Sequence, residues 1–298
     1  MRVLVTGGTG YVGRFIVEAM LREGFEVIVA GRQPPEPDLF SAPIAFRPLD
    51  LDPDADRTAL LEGIDWLVHG AFDHVEGKYR GGEGDDPARF SRLNRDGSIA
   101  LFKTAKAGGV KRAVFLSSRA VYGTQGAPTL LTEATPARPE TLYGQVKLDG
   151  ERALSALASA EFVAASLRIT GVYGAHRSGA SHKWEKLFAD FLDGQTIAPR
   201  VATEVHGFDV AQAVLLLLRY TDINAIAGRV FNVSDILLDQ HDLLGRVAAL
   251  SGIERQPPDP ADRTSVDVMD CTVLKKLGWR PGGFDLLEET LPDLIRPR

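Results

Sequence analysis

Val3-Leu4-Val5-Thr6-Gly7-Gly8-Thr9-Gly10-Tyr11-Val12-Gly13 is the stretch whose reading decides the fold. Apolar residues suited to a buried strand run into a glycine-rich turn, and Phe15, Ile16, Ala19 and Met20 follow at helical spacing. Glycines at 7 and 10 let the backbone turn sharply and approach a pyrophosphate; a glycine at 13 lets the helix pack closely on the strand. Amides exposed at such a helix start, aided by the helix dipole, face phosphate. The segment therefore reads as a dinucleotide-binding turn, with Gly7, Thr9, Gly10, Tyr11, Val12 and Gly13 as ligand contacts. A tight turn without a ligand is the competing reading.

Outward from this stretch, strands and helices alternate. Strands are expected at Glu26 to Ala30, Ile44 to Phe46, Trp66 to Val68, Arg112 to Leu116 and Phe162 to Ile169. Helices are expected at Asp56 to Leu61, Leu93 to Ala107 and Tyr143 to Ala158. Such alternation predicts an α/β fold with a doubly wound parallel sheet of the Rossmann kind, its ligands beyond the carboxyl ends of the strands. Gly70 and Ala71 fall at that edge and join the expected cofactor contacts. Phe72 to Arg92, rich in glycine and charge, reads as a mobile loop beside the site.

Later helices at about Ser181 to Leu192 and Gln240 to Leu250, with prolines at 257, 258 and 260 between elements, suit a small cap. The apolar helix Asp209 to Tyr220 and the strand Arg229 to Val233 return to the main unit. The expected division is a dinucleotide-binding domain over 1–172, rejoined by 203–234. A small C-terminal substrate-binding cap takes 173–202 and 235–298.

The totals narrow the partners. Across 298 residues, 40 acidic and 34 basic side chains give a net charge of -6, which offers no general attraction to nucleic acid or an anionic membrane. A small-molecule substrate is expected instead. The single cysteine, Cys271, excludes an intrachain disulfide and reads as buried filler in a reducing compartment. Six histidines show no metal-binding spacing, so no metal is expected, and His69 and His206 read as structural. Met1-Arg2 runs straight into strand residues with no leader, and the apolar run around Val214 to Leu218 is too short to span a bilayer. A cytoplasmic location is the expectation.

Chemistry is carried by Tyr143-Gly144-Gln145-Val146-Lys147, where a four-residue helical step puts phenol and ammonium on one face. A free tyrosine titrates near ~10, so it serves as a neutral-pH acid or base only where positive charge favours phenolate. Lys147, with an oxidised nicotinamide, would supply that charge. A shift of about three units corresponds to about 4 kcal/mol. Upstream, Ser117-Ser118 follows the fifth strand at the cofactor edge, where Ser118 would hydrogen-bond a reacting carbonyl oxygen or else satisfy turn amides.

Together these features resemble the extended short-chain dehydrogenase/reductases, the family of NAD-dependent epimerases and dehydratases. The resemblance covers nearly the whole chain. It rests on the glycine turn; Asp50-Leu51; Asn94-Arg95-Asp96-Gly97-Ser98; Ser117-Ser118 with Val121-Tyr122-Gly123; Tyr143 with Lys147; Leu167-Arg168 with Val172-Tyr173-Gly174; His206 with Asp209-Val210; and Leu277-Gly278-Trp279-Arg280-Pro281. It implies that Ser118 orients the substrate oxygen, Tyr143 is the acid/base and Lys147 holds the nicotinamide ribose and tunes Tyr143. Asp50 and Leu51 would contact the adenine. The family's helices matching Leu93 to Ala107 and Tyr143 to Ala158 often pair into homodimers.

Departures from the family pattern carry the specificity. Gly31 stands where an acidic residue would bind the adenosine ribose of NAD, and Arg32 follows, so NADP is favoured over NAD. Arg119 and Ala120 replace the acidic residues expected of sugar-nucleotide dehydratases, which disfavours elimination. Gly171 and Ala202 replace the asparagine and arginine usual in UDP-sugar epimerases, and Arg119, Arg177, Arg200 and Arg263 are candidate anion contacts. The expected function is NAD(P)-dependent oxidoreduction of a carbonyl or secondary alcohol on a small polar, sugar-like substrate. Sugar-nucleotide epimerisation and a non-catalytic dinucleotide-sensing module are the alternatives.

Overall fold

A computed structural model describes residues 1–75, 82–125 and 129–295. Its elements in chain order are β1 (Arg2–Thr6), α1 (Tyr11–Arg22), β2 (Glu26–Gly31), β3 (Ala45–Pro48), α2 (Thr58–Leu61), β4 (Trp66–His69), α3 (Pro87–Ser91), α4 (Gly97–Ala107), β5 (Arg112–Ser118), β6 (Leu130–Leu131) and α5 (Leu142–Leu157). There follow β7 (Val163–Ile169), β8 (Gly171–Tyr173), α6 (Glu185–Leu192), β9 (Val201–His206), α7 (Gly207–Arg219), β10 (Arg229–Val233), β11 (Ile236–Asp239), α8 (Gln240–Ser251), β12 (Val268–Met269), α9 (Thr272–Leu277) and α10 (Gly283–Ile295). Seven strands form one parallel sheet in the order β10-β7-β5-β4-β1-β2-β3. The direction of winding reverses between β1 and β4, and the crevice beyond their carboxyl ends is where such a sheet accepts ligands.

Helices cover both faces, which is why the central strands are unbroken apolar runs rather than alternating ones. Val3 and Val5 of β1 pack with Phe15, Val210 and Val214 on the side of α1 and α7. Leu4 faces the other way, toward Leu101, Phe102 and Leu154 of α4 and α5. Full burial of side chains of this size contributes about 1.5–3 kcal/mol each. Thr141 caps α5 by accepting a hydrogen bond from the Gly144 amide at 3.1 Å, an interaction worth about 1 kcal/mol.

A second sheet, β11-β9-β8, has β9 antiparallel to β11 and parallel to β8. Against it α6, α8 and α10 build a separate core around Tyr173, Trp184, Phe188, Leu243 and Leu287. No helix among the described residues is long and apolar enough to cross a membrane.

Two local expectations need correction. The segment read as a loop from Phe72 to Arg92 ends in α3, because Asp86 caps the Arg89 amide at 2.8 Å and Pro87 suits the first helical turn. A wide π-type turn over Arg92–Asp96 then leads into α4. Gly77 and Gly81 of that loop lie outside the described residues. The helix expected from Ser181 begins only at Glu185, whose carboxylate accepts the His182 amide at 3.0 Å, while Lys183 is drawn to Glu204.

Candidate active site

The glycine turn is sterically compulsory. Gly7 has φ of 70°, and a Cβ there would stand 2.7 Å from the Ala71 nitrogen; one on Gly13 would stand 2.2 Å from the Gly7 oxygen. Only bare backbone lets the turn thread between the ends of β1 and β4 with α1 laid on it. Gly10 is the N-cap residue of α1 and supplies no side-chain cap, which leaves first-turn amides for an anionic ligand. This cradle fits a dinucleotide pyrophosphate.

A cleft of about 1000 Å³ opens over these strand ends. Gly7, Thr9, Gly10, Tyr11, Val12 and Gly13 form one wall, and Tyr11 donates from its hydroxyl to the Gly174 carbonyl at 2.7 Å, tying the turn to the second sheet. Gly31, Arg32, Asp50 and Leu51 lie at the end formed by β2 and β3, with Gly70 and Ala71 beyond β4. Arg32 approaches Asp73 at 3.2 Å, and Asp73 also accepts from Arg89 at 2.7 Å. Asp50 accepts from the Asp52 amide at 2.9 Å, so it serves a turn while lining the cleft.

Ser118, Arg119, Tyr143 and Lys147 line the opposite part. The two serines ending β5 differ in role. Ser117 donates to the buried Glu151 carboxylate at 2.5 Å, and Glu151 is paired with Arg168 at 2.7 Å. Ser118 accepts from the Ala120 amide at 3.1 Å at the mouth of the cleft. Lys147 is buried, and its ammonium donates to the Leu116 carbonyl at 2.8 Å. It also sits 4.7 Å from the Phe72 ring, 4.8 Å from Phe115 and 5.9 Å from Tyr143. Burial lowers the Lys147 pKa to about 7, against the opposing pull of Glu151. Phe72 meets the Tyr143 ring edge-on at 5.2 Å and so shields both groups from one side.

His69 is fully buried between the hydroxyls of Thr6 and Ser98, and burial lowers its pKa to about 3. His206 caps α7 by accepting from the Phe208 amide at 3.2 Å, with burial lowering its pKa to about 4. Both are neutral scaffold groups. Cys271 is buried beside Ser234, and burial raises its thiol pKa to about 12.

The candidate substrate arginines do not converge. Arg119 lines the cleft but donates to the Asp267 carbonyl at 2.8 Å. Arg177 is turned to the Asp38 carbonyl, and Arg263 to Asp242 and Asp239 near the start of α8, so neither lines the cleft. Each is engaged by a different segment of the chain. Instead Lys183 and Glu204 lie in the cleft as an ion pair, with Arg200 nearby in its wall. Gly171 and Ala202 mark this neighbourhood in the sequence, but Lys183 sits in an apparent helix start and Glu204 in an ordinary strand pattern.

The chain is similar to sugar-nucleotide epimerases along its whole length. A UDP-glucose 4-epimerase of Corynebacterium glutamicum is 27% identical over 320 residues, spanning 96% of this chain and 92% of that protein. The solved UDP-glucose 4-epimerase of Thermus thermophilus in complex with NAD superposes with a TM-score of 0.77 at 26% identity, covering 99% of this chain and 98% of the other. The UDP-glucose 4-epimerase of Thermotoga maritima with UDP-glucose shares the fold at a TM-score of 0.79 and 23% identity, with 99% and 97% covered. The profile described as the NAD dependent epimerase/dehydratase family matches residues 3–234, and the chain belongs to that family, whose enzymes are of the extended short-chain dehydrogenase/reductase type.

Proposed function

We propose that this epimerase-like, NAD(P)-dependent enzyme moves hydride at a carbinol carbon of a sugar-like substrate, with Tyr143 as acid/base, Ser118 as donor to the substrate oxygen, and NADP preferred over NAD. The observation that carries it is the presence of Tyr143 and the buried Lys147 ammonium in the same cleft as the glycine cradle. When bound, the dinucleotide supplies a hydride acceptor or donor at its nicotinamide ring. In oxidation Tyr143 takes the carbinol proton as the C–H bond breaks; in reduction it returns that proton to the carbonyl oxygen. While Lys147 holds its proton, its charge one helical turn away favours the phenolate in either direction. Ser118 steadies the oxygen as its charge develops.

For cofactor choice, Gly31 removes a carboxylate that would repel a 2'-phosphate, and Arg32 at the same edge can clamp one. Asp73 is the competing partner of that guanidinium.

Net oxidoreduction is the outcome we propose. Epimerisation at the same centre is the second reading, and the names of the similar proteins favour it. It requires the ketone to stay bound while it turns over and is reduced from its other face. The two outcomes separate in one assay: net oxidation of added NADPH by a carbonyl sugar supports oxidoreduction, and interconversion of UDP-glucose and UDP-galactose without cofactor change supports epimerisation.

A further inference from the structure

The cleft opens into a side pocket that the hydride chemistry does not use. This pocket, of about 270 Å³, is lined by Thr9, Arg14, Arg32, Gln33 and Glu36 among others, and Thr9 and Arg32 line the main cleft as well. It therefore begins at the carboxyl end of β2, beside Gly31. Apart from its chain neighbours, a Cβ on Gly31 would meet nothing closer than the Gln33 carbonyl oxygen, 4.0 Å away. Packing does not demand a glycine there, and its bare backbone leaves the pocket entrance open.

Arg14 is the informative wall. It lies in the first turn of α1, its Nε donates to the Thr9 carbonyl oxygen at 2.8 Å, and it forms no ion pair among the described residues. Neither Nη is hydrogen-bonded among those residues, and neither is sealed from solvent. The side chain is partly buried, and burial and the Arg177 charge both lower its pKa. A partly desolvated cation close to another cation is stabilised by any anion that enters the pocket. Arg32 is 76% exposed and approaches Asp73 at 3.2 Å, while Arg89 holds the same carboxylate at 2.7 Å. Arg32 can thus turn to the pocket and leave Asp73 paired. Glu36 is the opposing charge in the wall, and it forms no ion pair with either arginine among the described residues. Positive charge remains in excess.

Resting on the cofactor preference proposed above, we infer that Arg14 is a second specificity residue, which together with Arg32 forms a subsite for a phosphate ester on the 2' oxygen of the adenosine ribose. Forked guanidinium donors from α1 and from the end of β2 match the oxygens of such a group. The uncharged 2'-hydroxyl of NAD gains little from either, and the Glu36 carboxylate works against the phosphate.

The test is calorimetric titration of NADP, NAD, adenosine 2',5'-bisphosphate and adenosine 5'-monophosphate into the wild type, Arg14→Gln, Arg14→Lys and Glu36→Gln. The wild type should bind each 2'-phosphorylated ligand more tightly than its counterpart. Arg14→Gln should weaken the two 2'-phosphorylated ligands by about tenfold or more and leave the other two within about twofold, and Arg14→Lys should keep part of the difference. Glu36→Gln, at an exposed loop position, should tighten only the 2'-phosphorylated pair, by about twofold or more. If the wild type favours NADP while Arg14→Gln weakens all the ligands alike, or none, Arg14 serves only the turn at Thr9; the inference falls and the NADP preference stands. A wild type indifferent to the 2'-phosphate overturns the preference itself. Should Arg14→Gln fail to fold, the absence of a gain in Glu36→Gln overturns the inference. Binding needs no turnover, so failure of the acid/base assignment leaves these results readable.

Discussion

Lys147 Nζ is hydrogen-bonded to the Leu116 carbonyl oxygen at 2.8 Å, which pins the cation of α5 to the end of β5 beside the cleft. Helix and strand are thereby held together where Tyr143 and Ser118 line the same cleft. The cost is a buried ammonium, offset in part by Glu151 one turn further along α5 and by the faces of Phe72 and Phe115.

That cost should be visible in stability. Folding lowers the Lys147 pKa from 10.5 to about 7, so between these values the unfolded chain holds a proton that the folded chain does not. Stability contributed by this group therefore rises with pH across that window, by up to about 1.4 kcal/mol per pH unit, and is flat below it. Urea unfolding of wild type and Lys147→Met between about pH 7 and 9 should show a difference that grows with pH in favour of the wild type. A difference independent of pH contradicts the lowering of the Lys147 pKa by burial.

Asp209 gives the opposite sign. It is buried at the start of α7, accepts from the Gly282 amide at 3.1 Å, and burial with nearby Asp235 raises its pKa to about 6. The folded chain thus gains a proton before the unfolded one does, and stability from this group increases as pH falls from about 6 to 4, by at most about 3 kcal/mol. Asp209→Asn keeps an acceptor for Gly282 and should remove this component. Chemical denaturation of both proteins across that range checks it, and parallel pH curves would count against it.

Much of this architecture is legible in the sequence for a physical reason. Strands buried on both faces must be apolar at every position, as in Val3-Leu4-Val5, and bare backbone at Gly7 and Gly13 is the only way to fit the turn. The Tyr143 and Lys147 spacing is likewise local geometry. Partners from distant segments are not legible. Lys183, just before α6, and Glu204, on β9, are 21 residues apart and meet only through the fold, and Arg177 and Arg263 are diverted by Asp38, Asp239 and Asp242, none of them neighbours in the chain. Asp86-Pro87 is a local helix-start signal masked by the glycine and charge around it.

The cradle should tolerate no side chain. Gly13→Ala places a Cβ 2.2 Å from the Gly7 oxygen and 2.7 Å from Gly8 Cα. Prying the turn from α1 should cost about 1–3 kcal/mol and lower dinucleotide affinity at least tenfold, measured by thermal unfolding and fluorescence titration. Unchanged affinity would remove the turn from the binding site.

At the far end of the cleft, Arg32→Ala should weaken NADP by about tenfold or more and leave NAD within about twofold, as expected for one charge-assisted phosphate contact. Equal losses for the two cofactors would withdraw the NADP preference.

The acid/base role of Tyr143 is tested most directly by pairing turnover with binding in Tyr143→Phe. Removing one oxygen from a group that only transfers a proton should reduce kcat by about a hundredfold to ten-thousandfold while the dinucleotide dissociation constant stays within about twofold. Turnover undiminished in this variant, with the protein folded and the cofactor bound, would contradict the account.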